Sequence, residues 1–145
     1  MKKTLLLCLC SLLIGCTKST KFSLEKEYYN ESKFIAVASE DINTLKEDKK
    51  SFIVFTYNNY CMLEVPCDEI FKKVMDKYSI SFLYLPYEEM KNTFIYEKVK
   101  LAPSVIIIKD GEIISFLDTE KEEDLNKYQD ETEFDKWITK YINTK

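Results

Sequence analysis

The run Ser51-Phe-Ile-Val-Phe-Thr-Tyr57 constrains the fold more than any other segment. It is β-branched and aromatic throughout, the composition of a strand buried on both faces. Amphipathic segments stand on either side of it. Ser39 can cap a helix over residues 40–47, with Ile42 and Leu45 facing inward at i, i+3. A second helix is predicted from about Pro66 to Tyr78. Proline suits its first position, Asp68 and Glu69 complement its dipole, and Ile70, Phe71, Val74, Met75 and Tyr78 form one stripe.

The alternation continues along the chain. Residues 34–38 and 80–85 read as short strands, the latter closed by Pro86, and residues 88–98 as a helix with Phe94 and Ile95 inward. Val105 to Ile108 and Ile113 to Leu117 flank Asp110-Gly111, the strongest hairpin signal present. The spacing of Phe134, Trp137, Ile138, Tyr141 and Ile142 predicts a last helix over 133–143. The order is β-α-β-α-β-α-β-β-α, without internal repeat. Residues 118–133 interrupt it with eight acidic and two basic side chains, read as a solvated surface loop, with a docking surface for a basic partner as the other reading.

The 145 residues contain no His, so Ser/His/Asp catalysis, Cys/His protease chemistry and His-ligated metals are excluded. The two glycines, Gly15 and Gly111, cannot build a phosphate-binding loop. All 21 basic residues are Lys, which removes the bidentate Arg clamp. Net charge is −4, and more negative still without Lys2 and Lys3, so nucleic acid is not an expected partner.

Two early lysines, an apolar run from Leu5 to Ile14 and a small residue before Cys16 make a secretory signal peptide over residues 1–15. The run is shorter than the roughly 20 residues of a transmembrane helix. Leu13-Ile14-Gly15-Cys16 resembles the lipobox of bacterial lipoproteins. That resemblance implies lipid on Cys16, removal of the leader, and a domain anchored at the extracytoplasmic face of a membrane. The other readings are an unlipidated signal peptide or an uncleaved amino-terminal anchor. Residues 16–33, Lys-, Ser- and Glu-rich without sustained apolar period, read as a spacer, and residues 34–145 as the domain. Cys8 and Cys10 depart with the leader. Cys61 and Cys67 then remain as a thiol pair in an oxidising compartment, where a disulfide is expected.

The element order, a cysteine soon after the central strand and a proline just before the hairpin resemble the thioredoxin fold, over roughly residues 34–143. Residues 51–61 are similar to the strand that leads through two aromatics into the first active-site cysteine, with Tyr57 and Tyr60 where tryptophans are usual. Leu101-Ala102-Pro103-Ser104-Val105 followed by Lys109-Asp110-Gly111-Glu112 resembles the family's cis-proline strand and hairpin. The resemblance implies a three-layer α/β fold, a central mixed sheet flanked by helices. It also implies a cis Pro103 beside the cysteines, with Ala102 pairing with substrate backbone. Tyr60 is the third candidate substrate contact, against a reading of both tyrosines as core or rim aromatics.

The cysteine spacing departs from the family. Five residues separate Cys61 from Cys67, and Glu64 takes the usual second-cysteine position. In one continuous helix, residues six apart point about 120° away from a common face and cannot bond. A helix that begins at Pro66 leaves residues 61–65 as a loop able to fold back. Glu64 would raise a nearby thiol pKa, and Phe55 stands where the family buries an acid.

The resemblance makes Cys61 the attacking thiol and Cys67 the resolving one, in thiol-disulfide exchange with an exported cysteine-containing protein or peptide. A variant is an accessory protein for an exported disulfide-containing peptide. The opposed reading is a structural disulfide in a non-enzymatic binding module. No organic cofactor or metal is required, because two thiolates are too few ligands for structural zinc. The domain is expected to be a monomer.

Overall fold

A computed structural model of the chain describes residues 20–58 and 66–144. The leader, Cys16, Tyr60, Cys61 and Glu64 lie outside the described residues. Among those described, β1 (Phe34–Ala36), β2 (Phe52–Tyr57), β3 (Phe82–Pro86), β4 (Ser104–Lys109) and β5 (Glu112–Phe116) form one sheet. Its spatial order is β1-β3-β2-β4-β5. β1, β3 and β2 pair in parallel, while β2–β4 and β4–β5 pair antiparallel, so the sheet is mixed. Residues 52–56 of β2 and 104–108 of β4 are all buried, as expected for central strands covered on both faces.

One cover is α2 (Cys67–Tyr78) together with α5 (Glu131–Ile138). Phe71 of α2 meets Phe55 of β2 edge-on, ring centroids 5.2 Å apart, and Phe134 of α5 at 4.5 Å. Phe134 also reaches Phe82 of β3. The other cover is α1 (Ser39–Glu47) with the segment from α3 (Tyr87–Met90) to a 3-10 turn at Phe94–Glu97. These bury Ile42, Met90 and Ile95. Ser39 N–H donates to Glu89 Oε2 at 3.0 Å and Asn43 Nδ2 to the Asn92 carbonyl at 3.1 Å, which joins the two pieces of that layer. The expected three-layer arrangement is present.

Several local expectations are corrected. Ser39 is the first helical residue of α1, not its cap; the carboxylate of Asp41 accepts from the N–H of Ala38 instead. α2 begins at Cys67, with Pro66 as the flanking residue. Residues 88–98 are not one helix. Thr93 accepts from the Ile95 N–H at 3.2 Å and starts a separate 3-10 turn. A threonine or asparagine that bonds local backbone competes with helix continuation. The last helix ends at Ile138, and Ile142 is buried by strand-like pairing with Phe22.

The segment expected as a spacer is packed from Phe22 onward. Phe22 N–H donates to the Tyr141 carbonyl at 2.9 Å, and Asn143 N–H to the Phe22 carbonyl at 2.7 Å. Tyr29 accepts from Leu24 N–H at 3.1 Å and donates to the Asn143 carbonyl at 2.9 Å, while its backbone bridges to Ile80. Phe22, Leu24, Tyr28 and Tyr29 are all buried. The apolar residues are irregularly spaced because they close a junction between chain ends rather than line a helix or strand.

The acidic segment is likewise folded. It forms α4 (Glu122–Leu125) and a 3-10 turn at Asn126–Tyr128, burying Asp124 and Tyr128. Asp124 earns its place: its carboxylate accepts from Asp118 N–H at 2.9 Å and from Lys127 Nζ at 2.7 Å. A buried carboxylate persists only when its lone pairs are so engaged.

Candidate functional site

Helix α2 places Cys67 in its first turn, and the residue is 3 % exposed. There the helix dipole is positive at the sulfur, and first-turn N–H groups lack intrahelical acceptors. The same side of the helix carries Phe71, whose ring lies 5.9 Å from that of Tyr128. Cys67 is close enough to Tyr84 and Tyr128 that its negative charge, when ionised, opposes theirs. Burial, then Tyr57 and Asp68, push the Tyr84 phenol up to about 12. Burial chiefly, then Cys67, Asp124 and Asp118, push the Tyr128 phenol well above its ordinary value. Both remain neutral phenols at any working pH.

The Ala102–Pro103 peptide bond is cis, as the family pattern implied. Side chains from two other elements hold the carbonyls on either side of the proline ring. Asn58, immediately after β2, donates from Nδ2 to the Ala102 carbonyl at 3.0 Å. Tyr128 donates its hydroxyl to the Pro103 carbonyl at 2.9 Å. Ser104 Oγ, the next residue, donates to the Leu117 carbonyl at 2.6 Å. The Thr56 hydroxyl, buried in β2 opposite Ser104, finds no partner among the described residues.

Tyr57 stacks on Tyr84 with centroids 3.8 Å apart and planes 5° from parallel, closing the sheet surface near Asp68. On the far side of Leu101 a groove of about 220 Å³ opens, floored by Val99 and Leu117 and rimmed by Lys98, Lys100, Asp118 and Glu120. The arrangement therefore sets a thiol at a positive helix end, a cis-proline segment held through its carbonyls, and a groove continuing from that segment. Chemically it fits thiol attack on a disulfide presented by an extended chain.

Of the candidate residues, Cys67, Ala102 and Pro103 fall among the described residues, with Tyr128 spanning the α2 end and the proline. Cys61, Tyr60 and Cys16 fall outside them. Sequence reasoning missed Asn58 and Tyr128. The signal for Tyr128 was present: it is the single aromatic between Asp118 and Glu133, and an aromatic in an otherwise charged stretch marks a point of contact with the core.

Among solved structures the chain is similar to oxidised thioredoxin from Plasmodium falciparum, with 16 % identity, 76 % of this chain and 99 % of that one covered, and a TM-score of 0.54. The chain has the thioredoxin fold. Thioredoxin NaTrxh from Nicotiana alata is similar over 78 % of this chain and 95 % of its own, at 19 % identity and a TM-score of 0.53. Schistosoma mansoni thioredoxin covers 77 % and 97 %, at 22 % identity and a TM-score of 0.52. No protein-family model matches the sequence, and no curated protein matches it.

Proposed function

We propose that this protein is a thiol-disulfide oxidoreductase, tethered through lipid on Cys16 to the extracytoplasmic face of a membrane and acting on exported cysteine-containing proteins or peptides. The observation that carries the reading is Cys67 in the first turn of α2, near enough to Tyr128 to act on its charge, with Tyr128 bonded to the carbonyl of the cis Pro103. A helix amino terminus favours the thiolate, which is the reacting form.

In the reducing direction, the Cys61 thiolate attacks one sulfur of a substrate disulfide. The substrate S–S bond breaks, a Cys61–substrate bond forms, and the leaving substrate thiolate takes a proton from solvent. The Cys67 thiolate then attacks the Cys61 sulfur, forming Cys61–Cys67 and releasing the second substrate thiol. Two electrons pass from the protein to the substrate, and an external dithiol returns them. The oxidising direction is the reverse, with an external disulfide as acceptor.

The test is trapping. Cys67→Ala leaves the mixed disulfide unresolved, so high-molecular-weight adducts that dissolve with dithiothreitol accumulate, whereas Cys61→Ala forms none. A second reading, a binding module with a structural disulfide, draws on the burial of Cys67. It predicts no adducts from either variant and a similar loss in both, about 2–4 kcal/mol. The anchor is tested separately. Cys16→Ser releases the protein into soluble fractions, and retention at the membrane would contradict lipidation.

A further inference from the structure

The hydroxyl of Tyr128 donates to the carbonyl of Pro103 and lies within hydrogen-bonding reach of the Ser104 side chain, and the residue is 1 % exposed. A buried phenol needs such a partner, but phenylalanine would fill the same space without one. The segment that carries Tyr128 is braced to present it. Asp124 ties Asp118 N–H to Lys127 Nζ, and Asp130 N–H returns to the Asn126 carbonyl at 2.8 Å. The ring then closes against Phe71, one helical turn beyond Cys67. One side chain thus links the acidic segment, the amino-terminal turn of α2 and the proline segment.

We propose that Tyr128 is a positioning residue that holds the Ala102–Pro103 segment at the distance from α2 at which an extended peptide disulfide meets the thiols. The proposal rests on the exchange reaction above. A peptide must lie along residues 101–103 to be attacked, whereas a small disulfide needs only the thiol. Loss of the hydroxyl therefore loosens one substrate class and spares the other.

The test compares the full chain with Tyr128→Phe, using a synthetic peptide closed by one disulfide and bis(2-hydroxyethyl) disulfide as probes. The KM for the peptide rises about fivefold, the scale of one hydrogen bond, while kcat and the rate with the small disulfide stay within about twofold. Amide hydrogen exchange at Ala102 and Ser104 quickens by a similar factor. Asp124→Asn, which weakens the bracing without touching the proline, moves the peptide KM the same way. An unchanged peptide KM with unchanged exchange overturns the proposal, and so does an equal loss on both probes. A wild-type protein that reduces neither probe when supplied with dithiothreitol, and closes no reduced peptide when supplied with glutathione disulfide, refutes the oxidoreductase reading instead. The exchange comparison then decides by itself whether Tyr128 holds the segment.

Discussion

Tyr29→Phe removes one oxygen and tests whether the segment before β1 belongs to the folded domain. That oxygen accepts from the N–H of Leu24 and donates to the carbonyl of Asn143, 114 residues away in sequence. The two losses differ in cost. Asn143 is exposed, so water replaces the donor at its carbonyl. Leu24 is buried, so its N–H is left without an acceptor, at about 1–3 kcal/mol. Taking the middle of that range, the variant loses about 2 kcal/mol. For a domain of this size that is a fall of roughly 8 °C in Tm. Urea denaturation followed by far-UV circular dichroism should show a lower midpoint with an unchanged slope, because the surface exposed on unfolding is the same. Amide exchange should quicken first at Phe22, Leu24 and Asn143. A loss below about 0.5 kcal/mol, the size of an ordinary surface change, would refute the reasoning and restore the spacer reading.

Gly111→Ala should cost about 2–4 kcal/mol in the same assay. Its φ is +80°, and a Cβ would lie 2.6 Å from the Lys46 carbonyl oxygen, a backbone atom that cannot swing aside. Ser79→Gly should gain about 0.5–1 kcal/mol, since Ser79 ends α2 in the left-handed region at φ 51°, where a side chain is strained. Burial raises the carboxyl of Asp135, but hydrogen bonds from Lys77 and Tyr78 and the Lys77 charge outweigh it and hold the group below its ordinary value. A carboxyl depressed in the folded state contributes stability above its unfolded pKa and loses it as pH falls through the folded one. The urea midpoint should therefore drop as pH is lowered below about 4, and less steeply in Asp135→Asn.

What was legible in the sequence was local. Residues 52–57 declare a buried strand by composition alone, and Asp110-Gly111 supplies the two positive φ angles, 51° and 80°, that a tight hairpin needs. The apolar stripe of α2 needs only its own period. The missed pieces are those whose burial depends on distant partners. Phe22, Leu24, Tyr28 and Tyr29 have no period because each answers to a different neighbour: Ile142, the Tyr29 hydroxyl, the Ser81 N–H and the Asn143 carbonyl. The 133–143 pattern misled for the opposite reason. Tyr141 and Ile142 keep helical spacing, yet the chain leaves the helix after Ile138 and buries Ile142 by pairing with Phe22. At the site, Pro103 was found through its motif. The groups that hold its segment, Asn58 and Tyr128, come from the end of β2 and from a segment whose charge reads as solvent-facing.

The two unexpected features sit at opposite ends of the sheet, and this bears on how a tethered enzyme would work. The amino-terminal segment docks where β2 begins and β4 ends. Glu25 N–H donates to the Ser51 carbonyl at 2.9 Å, and Lys109 Nζ lies 5.9 Å from the Phe22 ring centroid. The Pro103 segment and Asn58 stand where β4 begins and β2 ends. A six-residue strand spans about 17 Å, so the site and the first packed residues are separated by the length of the sheet. With lipid on Cys16, the covalent reach from the anchor to Phe22 is at most about 20 Å. If Cys16 is lipidated as proposed, a domain packed from Phe22 onward would sit on a shorter tether than one whose spacer ran freely to residue 33. That tether would enter the domain at the end of the sheet opposite the cis-proline segment.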